Sequence, residues 1–347
     1  MSKSTINDRK REHLTLAGLP SMQMSVTNGL DSVQFEPCAS PELNLSEIDT
    51  RCRLFGKELQ QPLIIASMSG GTRASRQLNQ TLAAAAEEAG VALGLGSMRI
   101  AIEQPQQCPT FQVRSIAPSI PILANIGGAQ LVQPEGLSHA LRCIDIAEAD
   151  GIFVHLNPLQ EALQSQGDTQ WRGVLDAIAT LVTFAPVPVI VKEVGHGLGP
   201  STARKLVDAG VQYLDIAGAG GTSWAAIETE RSRTDNKAQT GEVFHNFGIN
   251  LRDSLRSIQQ EETLSKSLTL IASGGIRSGL DIAKSIRLGA SFASAASPML
   301  AAANHGTESL TECLEQWRQQ LRISCFVTGC ASLQDLRYAP LISPQHL

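Results

Sequence analysis

The sequence has no long apolar run. No window of about eighteen consecutive apolar residues occurs, so no membrane-spanning helix is expected. The N-terminal stretch is polar and carries no apolar h-region, so no secretory signal is expected there. CxxC pairs are absent too. The seven cysteines (Cys38, Cys52, Cys108, Cys143, Cys313, Cys325 and Cys330) are odd in number and widely spaced. That speaks against a disulfide framework or a zinc site and fits a reducing cytoplasm. A basic excess is also missing. Against 33 acidic residues stand 28 Lys and Arg, a net charge of -5. This argues against nucleic acid or an acidic membrane surface as the main partner. The cations that do cluster, Lys3, Arg9, Lys10 and Arg11, are confined to the N-terminal stretch.

What is present is enough apolar material for a sizeable core: 347 residues, 42% hydrophobic and 18% charged. Eight short β-rich runs recur, at 63–66, 91–95, 120–124, 151–155, 187–192, 213–216, 268–272 and 291–294. Between them, 76–89, 136–149, 171–184, 201–209 and 279–288 carry helical patterning. Most runs are spaced by roughly one βα unit. The expectation is an α/β fold, a (β/α)8 TIM barrel, with a doubly wound open sheet as the alternative on pattern alone. Residues 1–30 read as a mobile polar arm and 31–347 as a single barrel domain. Residues 43–59 read as a hairpin that would close the N-terminal end of the barrel. The longer gap between the sixth and seventh runs holds a charged insert at 228–246, and 308–321 reads as a terminal helix.

The chemistry is expected where strands end. His155-Leu156-Asn157-Pro158-Leu159-Gln160-Glu161 follows Gly151-Ile152-Phe153-Val154 directly. Alternation along a strand puts 153, 155 and 157 on one side. Gln160 and Glu161 offer a carboxamide and an anionic oxygen suited to a hard cation such as Mg2+. A polar loop with Asn157 capping a helix explains the same residues. Glycine-rich turns close five of the runs, including Ser67-Met68-Ser69-Gly70-Gly71, Gly96-Ser97-Met98-Arg99 and Gly274-Gly275-Ile276. Such turns let backbone approach a flat ligand or a phosphate. Gly274-Gly275-Ile276, with the segment Ala293-Ser294-Ala295-Ala296, matches the usual phosphate position of such barrels, ordinary tight βα turns being the alternative. Lys192 ends a buried-looking strand, where an ammonium needs an anionic partner. His196 reads as structural or substrate-lining. Asp215 could ligate or merely cap. Arg9-Lys10-Arg11-Glu12-His13 is either a diphosphate clamp or a solvated charge run.

Together these motifs resemble the type 2, FMN-dependent isopentenyl-diphosphate isomerases, from about residue 9 to residue 300. The likeness rests most specifically on Arg9-Lys10-x-Glu12-His13 and His155-Leu156-Asn157-x-x-Gln160-Glu161. Asn125-Ile126-Gly127, Lys192-Glu193-Val194-Gly195 and Gly218-x-Gly220-Gly221-Thr222-Ser223 add to it. The resemblance implies FMN contacts from Ser67, Met68, Ser69, Ser97, Asn125, Lys192 and Thr222. It implies a flavin phosphate site at Gly274, Gly275, Ile276, Ala295 and Ala296. Substrate contacts would come from Arg9, Lys10, His13, Ser97, Met98, Arg99 and Gln160. His155, Asn157 and Gln160 would line the reacting group, and Glu161 would hold Mg2+. Ser69, Ser165-Gln166, Ser294 and Gly248-Ile249-Asn250 depart from the family pattern.

The implied reaction interconverts isopentenyl and dimethylallyl diphosphate by adding and removing a proton, in isoprenoid biosynthesis. Reduced FMN would be the acid, because no Cys/Glu pair occupies a plausible position, and NADH or NADPH would keep the flavin reduced. A cytoplasmic homo-oligomer, tetramer or larger, is implied. The rivals are an FMN oxidoreductase of the 2-hydroxy-acid oxidase type, using Arg277 and weakly His245, and a non-catalytic flavin-binding barrel.

Overall fold

The computed structural model describes residues 12–13, 15–68, 70–71, 73–232 and 237–342, without the side chains of 73, 74, 237 and 238. A short antiparallel hairpin comes first, β1 (Cys52–Leu54) and β2 (Lys57–Leu59). Eight strands follow: β3 (Leu63–Ile65), β4 (Ala92–Gly94), β5 (Ile122–Gly127), β6 (Gly151–His155), β7 (Val189–Lys192), β8 (Tyr213–Asp215), β9 (Thr269–Ser273) and β10 (Phe292–Ala295). They pair in parallel in chain order, and β10 closes onto β3. The closed (β/α)8 barrel is therefore present, and the open sheet is excluded. The strands are buried on both faces, which is why they read as unbroken apolar runs.

The barrel interior is layered. Ile64, Ala92, Leu123, Phe153, Ile190, Ile271 and Phe292 form the lower layer, sealed from below by Leu54 and Leu59 of the hairpin. Side chains alternate along a strand, so the residue two positions further on faces the same interior one level higher. At that level the chain places Asn125, His155, Lys192, Asp215, Ser273 and Ser294, all lining one cavity. Apolar side chains thus make the floor and polar ones the working surface above it. The other strand face packs on the helices; Leu63, Ile65, Val154, Val191 and Leu270 join that larger core.

The hairpin is shorter than the span 43–59. Residues Leu45–Glu47 form a 3-10 turn instead, because the Glu47 carboxylate takes both the backbone and side-chain N–H of Asn44. Asp150 pins the hairpin to the barrel: Lys57 Nζ lies 2.8 Å from Oδ1, and Arg114 donates to Oδ2 at 2.6 Å. The segment after residue 14 does not stand clear as an arm. Met24 N–H donates to the Gly221 carbonyl at 2.8 Å, Ser223 N–H to Met22, and Asn28 Nδ2 to Gly275 at 2.7 Å. Met22, Met24 and Leu30 are buried by this packing. The insert between β8 and β9 is partly helical, as Trp224–Arg231 and Lys237–Glu242. Asn250 caps the next helix, Leu251–Gln259, by accepting from Asp253 N–H at 2.8 Å, which gives the Gly248-Ile249-Asn250 departure a structural role. Among the described residues no helix is long and apolar enough to cross a membrane.

Candidate active site

A cavity of about 270 Å³ opens at the C-terminal ends of the barrel strands. It is lined by His13, Ser67, Met68, Ser97, Arg99, Asn125, His155, Asn157, Gln160, Glu161, Lys192, Thr222, Gly274, Gly275, Ile276, Ala295 and Ala296. Met98 is the exception among the expected site residues that are described. Its side chain is fully buried in the main core, because the turn before helix Arg99–Glu103 points it inward. Arg9, Lys10 and Ser69 lie outside the described residues.

On one side of the cavity the backbone is glycine-rich. Gly274 adopts φ 101°, and a Cβ there would collide with the Gly218 carbonyl, so the turns after β8 and β9 pack with no room for a side chain. Among the described residues, no protein acceptor pairs with the N–H groups of Gly275 and Ile276. Three buried polar atoms of the lining likewise lack a partner: Ser67 Oγ, Asp215 Oδ2 and Ser294 Oγ. Buried polar atoms are normally satisfied. Donors and acceptors waiting around a cavity floored by apolar groups fit a flat, heteroatom-rich ring with a phosphate, and FMN is such a group. Ser294, one of the departures from the family pattern, joins this set rather than closing the site. Lys192 is buried and donates to the Glu193 carbonyl at 2.5 Å.

The other side is a polar network. His155 is oriented by Asn125: Asn125 Nδ2 donates to the Leu95 carbonyl at 3.0 Å, so its Oδ1 faces His155 Nδ1 at 2.7 Å. The ring therefore donates from Nδ1. Asn157 does not cap its helix with its side chain. Its Nδ2 instead donates to Gln160 Oε1 and Glu161 Oε1, both at 3.0 Å. Glu161 Oε2 accepts the N–H of Asp168 at 2.8 Å. That return is possible because residue 167 is glycine; a Cβ there would run into the Glu161 carbonyl. Among the described residues no three His, Cys, Asp or Glu side chains cluster to hold a metal. A single carboxylate that lines the cavity and is held by carboxamides and a backbone N–H still suits Mg2+, which commonly takes one or two protein carboxylates and completes its shell with substrate phosphate and water.

Glu228 was not anticipated. It is 1% exposed, and its Oε1 meets both His13 Nε2 at 2.8 Å and Gln160 Nε2 at 3.1 Å. Its Oε2 accepts from Arg231 at 2.6 Å. Burial alone would push its carboxyl up. The hydrogen bond and charge of His13, the charge of Arg231 and the Gln160 amide outweigh that and hold it below the usual range. Trp224, one turn earlier, packs edge-on against His13 at 5.1 Å. The available signal was a glutamate one helical turn after a tryptophan in an otherwise apolar stretch. Arg99, across the mouth, is held by Glu103 at 2.5 Å and Asp168 at 2.6 Å, and Gln130 donates to the same Asp168 oxygen at 2.9 Å. Burial lowers the Arg99 pKa, but these two carboxylates raise it above the usual value.

The two groups a hydroxy-acid oxidase would use are not both free in the cavity. Arg277 lines it, but its guanidinium donates to the Gly220 and Gly275 carbonyls and to Gln23. His245 does not line the cavity. His196 does not line it either; its Nδ1 lies 3.3 Å from Glu193, whose other oxygen accepts three successive backbone N–H groups.

A closed parallel barrel with a glycine-lined mouth and this set of unpaired polar groups defines a flavin-mononucleotide barrel, and the FMN-dependent dehydrogenase family model matches residues 154–343. The isopentenyl-diphosphate delta-isomerase of Cronobacter sakazakii is 45% identical over 343 residues, covering 98% of each chain. That of Stutzerimonas stutzeri is 45% identical over 344 residues, covering 99% of each. The chain belongs to the isopentenyl-diphosphate delta-isomerase family. Solved structures share the fold at low identity. A mandelate oxidase carrying a monooxide FMN adduct superposes with TM-score 0.63 at 18% identity, covering 98% of this chain and 93% of that one. A lactate oxidase from Pediococcus acidilactici gives 0.68 at 12%, covering 97% and 93%.

Proposed function

We propose that this protein interconverts isopentenyl and dimethylallyl diphosphate, using FMN in its reduced form and Mg2+, with NADH or NADPH supplying the electrons that keep the flavin reduced. The observation that carries the reading is the junction at Gln160. Its carboxamide is fixed between Asn157 and Glu228. It faces the same cavity as the glycine-rich turns. An uncharged amide backed by an ionised carboxylate can orient an alkene and pass a proton without itself being consumed.

FMN would be held by Ser67, Met68, Ser97, Asn125, Lys192 and Thr222, with its phosphate at Gly274, Gly275, Ile276, Ala295 and Ala296. When bound and reduced it supplies a proton and an electron-rich ring beside the alkene. The protein's own groups do the rest. Arg99 and His13, together with Arg9 and Lys10, would bind the diphosphate. Glu161 would hold Mg2+ against it. Arg99 would exchange Glu103 and Asp168 for phosphate oxygens, trading two carboxylates for a more highly charged anion. His155, locked by Asn125, and Asn157 would wall the pocket. The apolar lower layer excludes water from beneath.

We further propose a cytoplasmic homo-oligomer of four or more chains. All seven cysteines being unpaired agrees with a reducing compartment.

The test is direct. Protein reconstituted with FMN and reduced by dithionite without oxygen is given isopentenyl diphosphate and Mg2+ in deuterated water, and the product is followed by NMR. Deuterated dimethylallyl diphosphate is expected, and only from the reduced form. Equal turnover by flavin-free protein, or stoichiometric oxidation of a 2-hydroxy acid, overturns the proposal.

A further inference from the structure

Asp215 has no place in the scheme above, yet it occupies the middle of the site. It ends β8, where its register partner on β7 is Lys192. Both side chains line the cavity. Asp215 is wholly buried. One of its oxygens is engaged: Oδ1 receives the hydroxyl of Ser273 and, at 3.3 Å, the N–H of Ala217. The other, Oδ2, is buried and has no partner among the described residues. A buried carboxylate is costly unless a positive charge or donors compensate it. Burial, with the nearby Glu193 charge, holds its carboxyl above the usual range; the charge of Lys192, the Ser273 hydroxyl and the Ala217 N–H offset this only in part. The nearby Glu193 carboxylate is occupied by three backbone N–H groups, with His196 at its other oxygen. Lys192, for its part, has three N–H donors and gives one to the Glu193 carbonyl.

We propose that Asp215 and Lys192 act as an opposed charge pair at the flavin ring, Lys192 favouring and Asp215 opposing negative charge on it, so that the pair sets the flavin's reduction potential. This rests on the FMN placement given above. Two side chains on neighbouring strands at one level of the barrel interior act on the same part of a bound ring. In a cavity closed from water below, their fields are only weakly screened. A lone lysine would stabilise negative charge on the flavin strongly; the aspartate moderates that effect. The low exposure of both groups and the unsatisfied Oδ2 are what this role requires. A purely structural aspartate would bury both oxygens against donors.

Sulfite distinguishes these roles, because its addition to oxidised flavin leaves the ring anionic and bleaches its absorbance. The FMN-loaded wild type, Asp215→Asn, Lys192→Met and the double variant are titrated with sulfite. Their midpoint potentials are measured against a reference dye, and FMN affinity is measured separately by fluorescence quenching. Asp215→Asn is expected to bind sulfite roughly tenfold more tightly and to shift the potential upward. Lys192→Met is expected to do the opposite, with the double variant between them. If Asp215→Asn retains FMN but leaves both readings unchanged, or moves them in the same direction as Lys192→Met, the opposed-pair proposal fails. Should Asp215→Asn not fold, Asp215→Glu, which keeps the charge, must retain near wild-type values, and a potential shifted as far as in Lys192→Met refutes the proposal. Failure of the wild type to bind FMN at all would instead refute the flavin placement.

Discussion

Gln160 donates its side-chain amide to Glu228 at 3.1 Å, across 68 residues of sequence. The contact joins the helix after β6 to the insert after β8, and it fixes which end of the Gln160 amide is turned toward Asn157.

Replacing Glu228 by Gln removes that charge while keeping the shape. Turnover is expected to fall by about a hundredfold, and the thermal midpoint to fall as well, because Arg231 and His13 lose their buried anionic partner. Because its folded pKa is depressed, the ionised form persists through neutral pH. Its contribution is complete above its ordinary value of 4.5 and is lost as pH falls below that. A variant with wild-type kcat across the pH range would exclude Glu228 from the chemistry.

Glu161→Gln should raise the Mg2+ concentration needed for half-maximal activity by about 10- to 100-fold. Asn157→Ala, which frees the Glu161 carboxylate from its amide donor, should give a smaller shift in the same direction. Activity titrated against Mg2+ at saturating substrate reads both. An unchanged metal requirement in Glu161→Gln would move the metal elsewhere.

Asn125→Leu leaves the His155 ring without its orienting oxygen and strands the Leu95 carbonyl. The cost in stability is expected to be about 1–3 kcal/mol. His155→Ala in the same background should then add little further loss of turnover, because the two act as one unit. Fully additive effects on kcat would show that Asn125 does not act through His155.

At the opposite end of the barrel, Asp150→Asn should loosen the hairpin by about 1–2 kcal/mol in urea unfolding at neutral pH. Burial raises the Asp150 pKa, but Lys57, the Ile122 N–H and Arg114 pull it below its ordinary value of 3.8. The stabilisation is therefore present above that value and disappears as pH falls through the folded one. A difference between variant and wild type that persists unchanged at pH 2 would contradict this account.

The barrel was legible because a doubly buried strand leaves a simple trace, an apolar run with a small or polar residue at its end. Ile190-Val191-Lys192 and Phe153-Val154-His155 carry both layers of the interior in three residues each. The cavity lining was legible for the same reason, since each strand end delivers one side chain to it. Glu228 was hidden because it reaches the site from an insert, by a helical turn that strand spacing does not describe. Met98 was misplaced because a motif names residues without saying whether a turn offers backbone or side chain. The segment after residue 14 read as an arm because it is polar; its anchoring is mostly through backbone groups, which any sequence carries.

That anchoring has a kinetic consequence. The hairpin seals the barrel floor, and Met22, Gln23, Met24 and Asn28 bridge to the turns after β8 and β9 at the rim. The segment's hydrogen bonds can therefore open locally without unfolding the barrel, and urea or heat should speed amide exchange at Met24 and Ser223 before it reaches the strands.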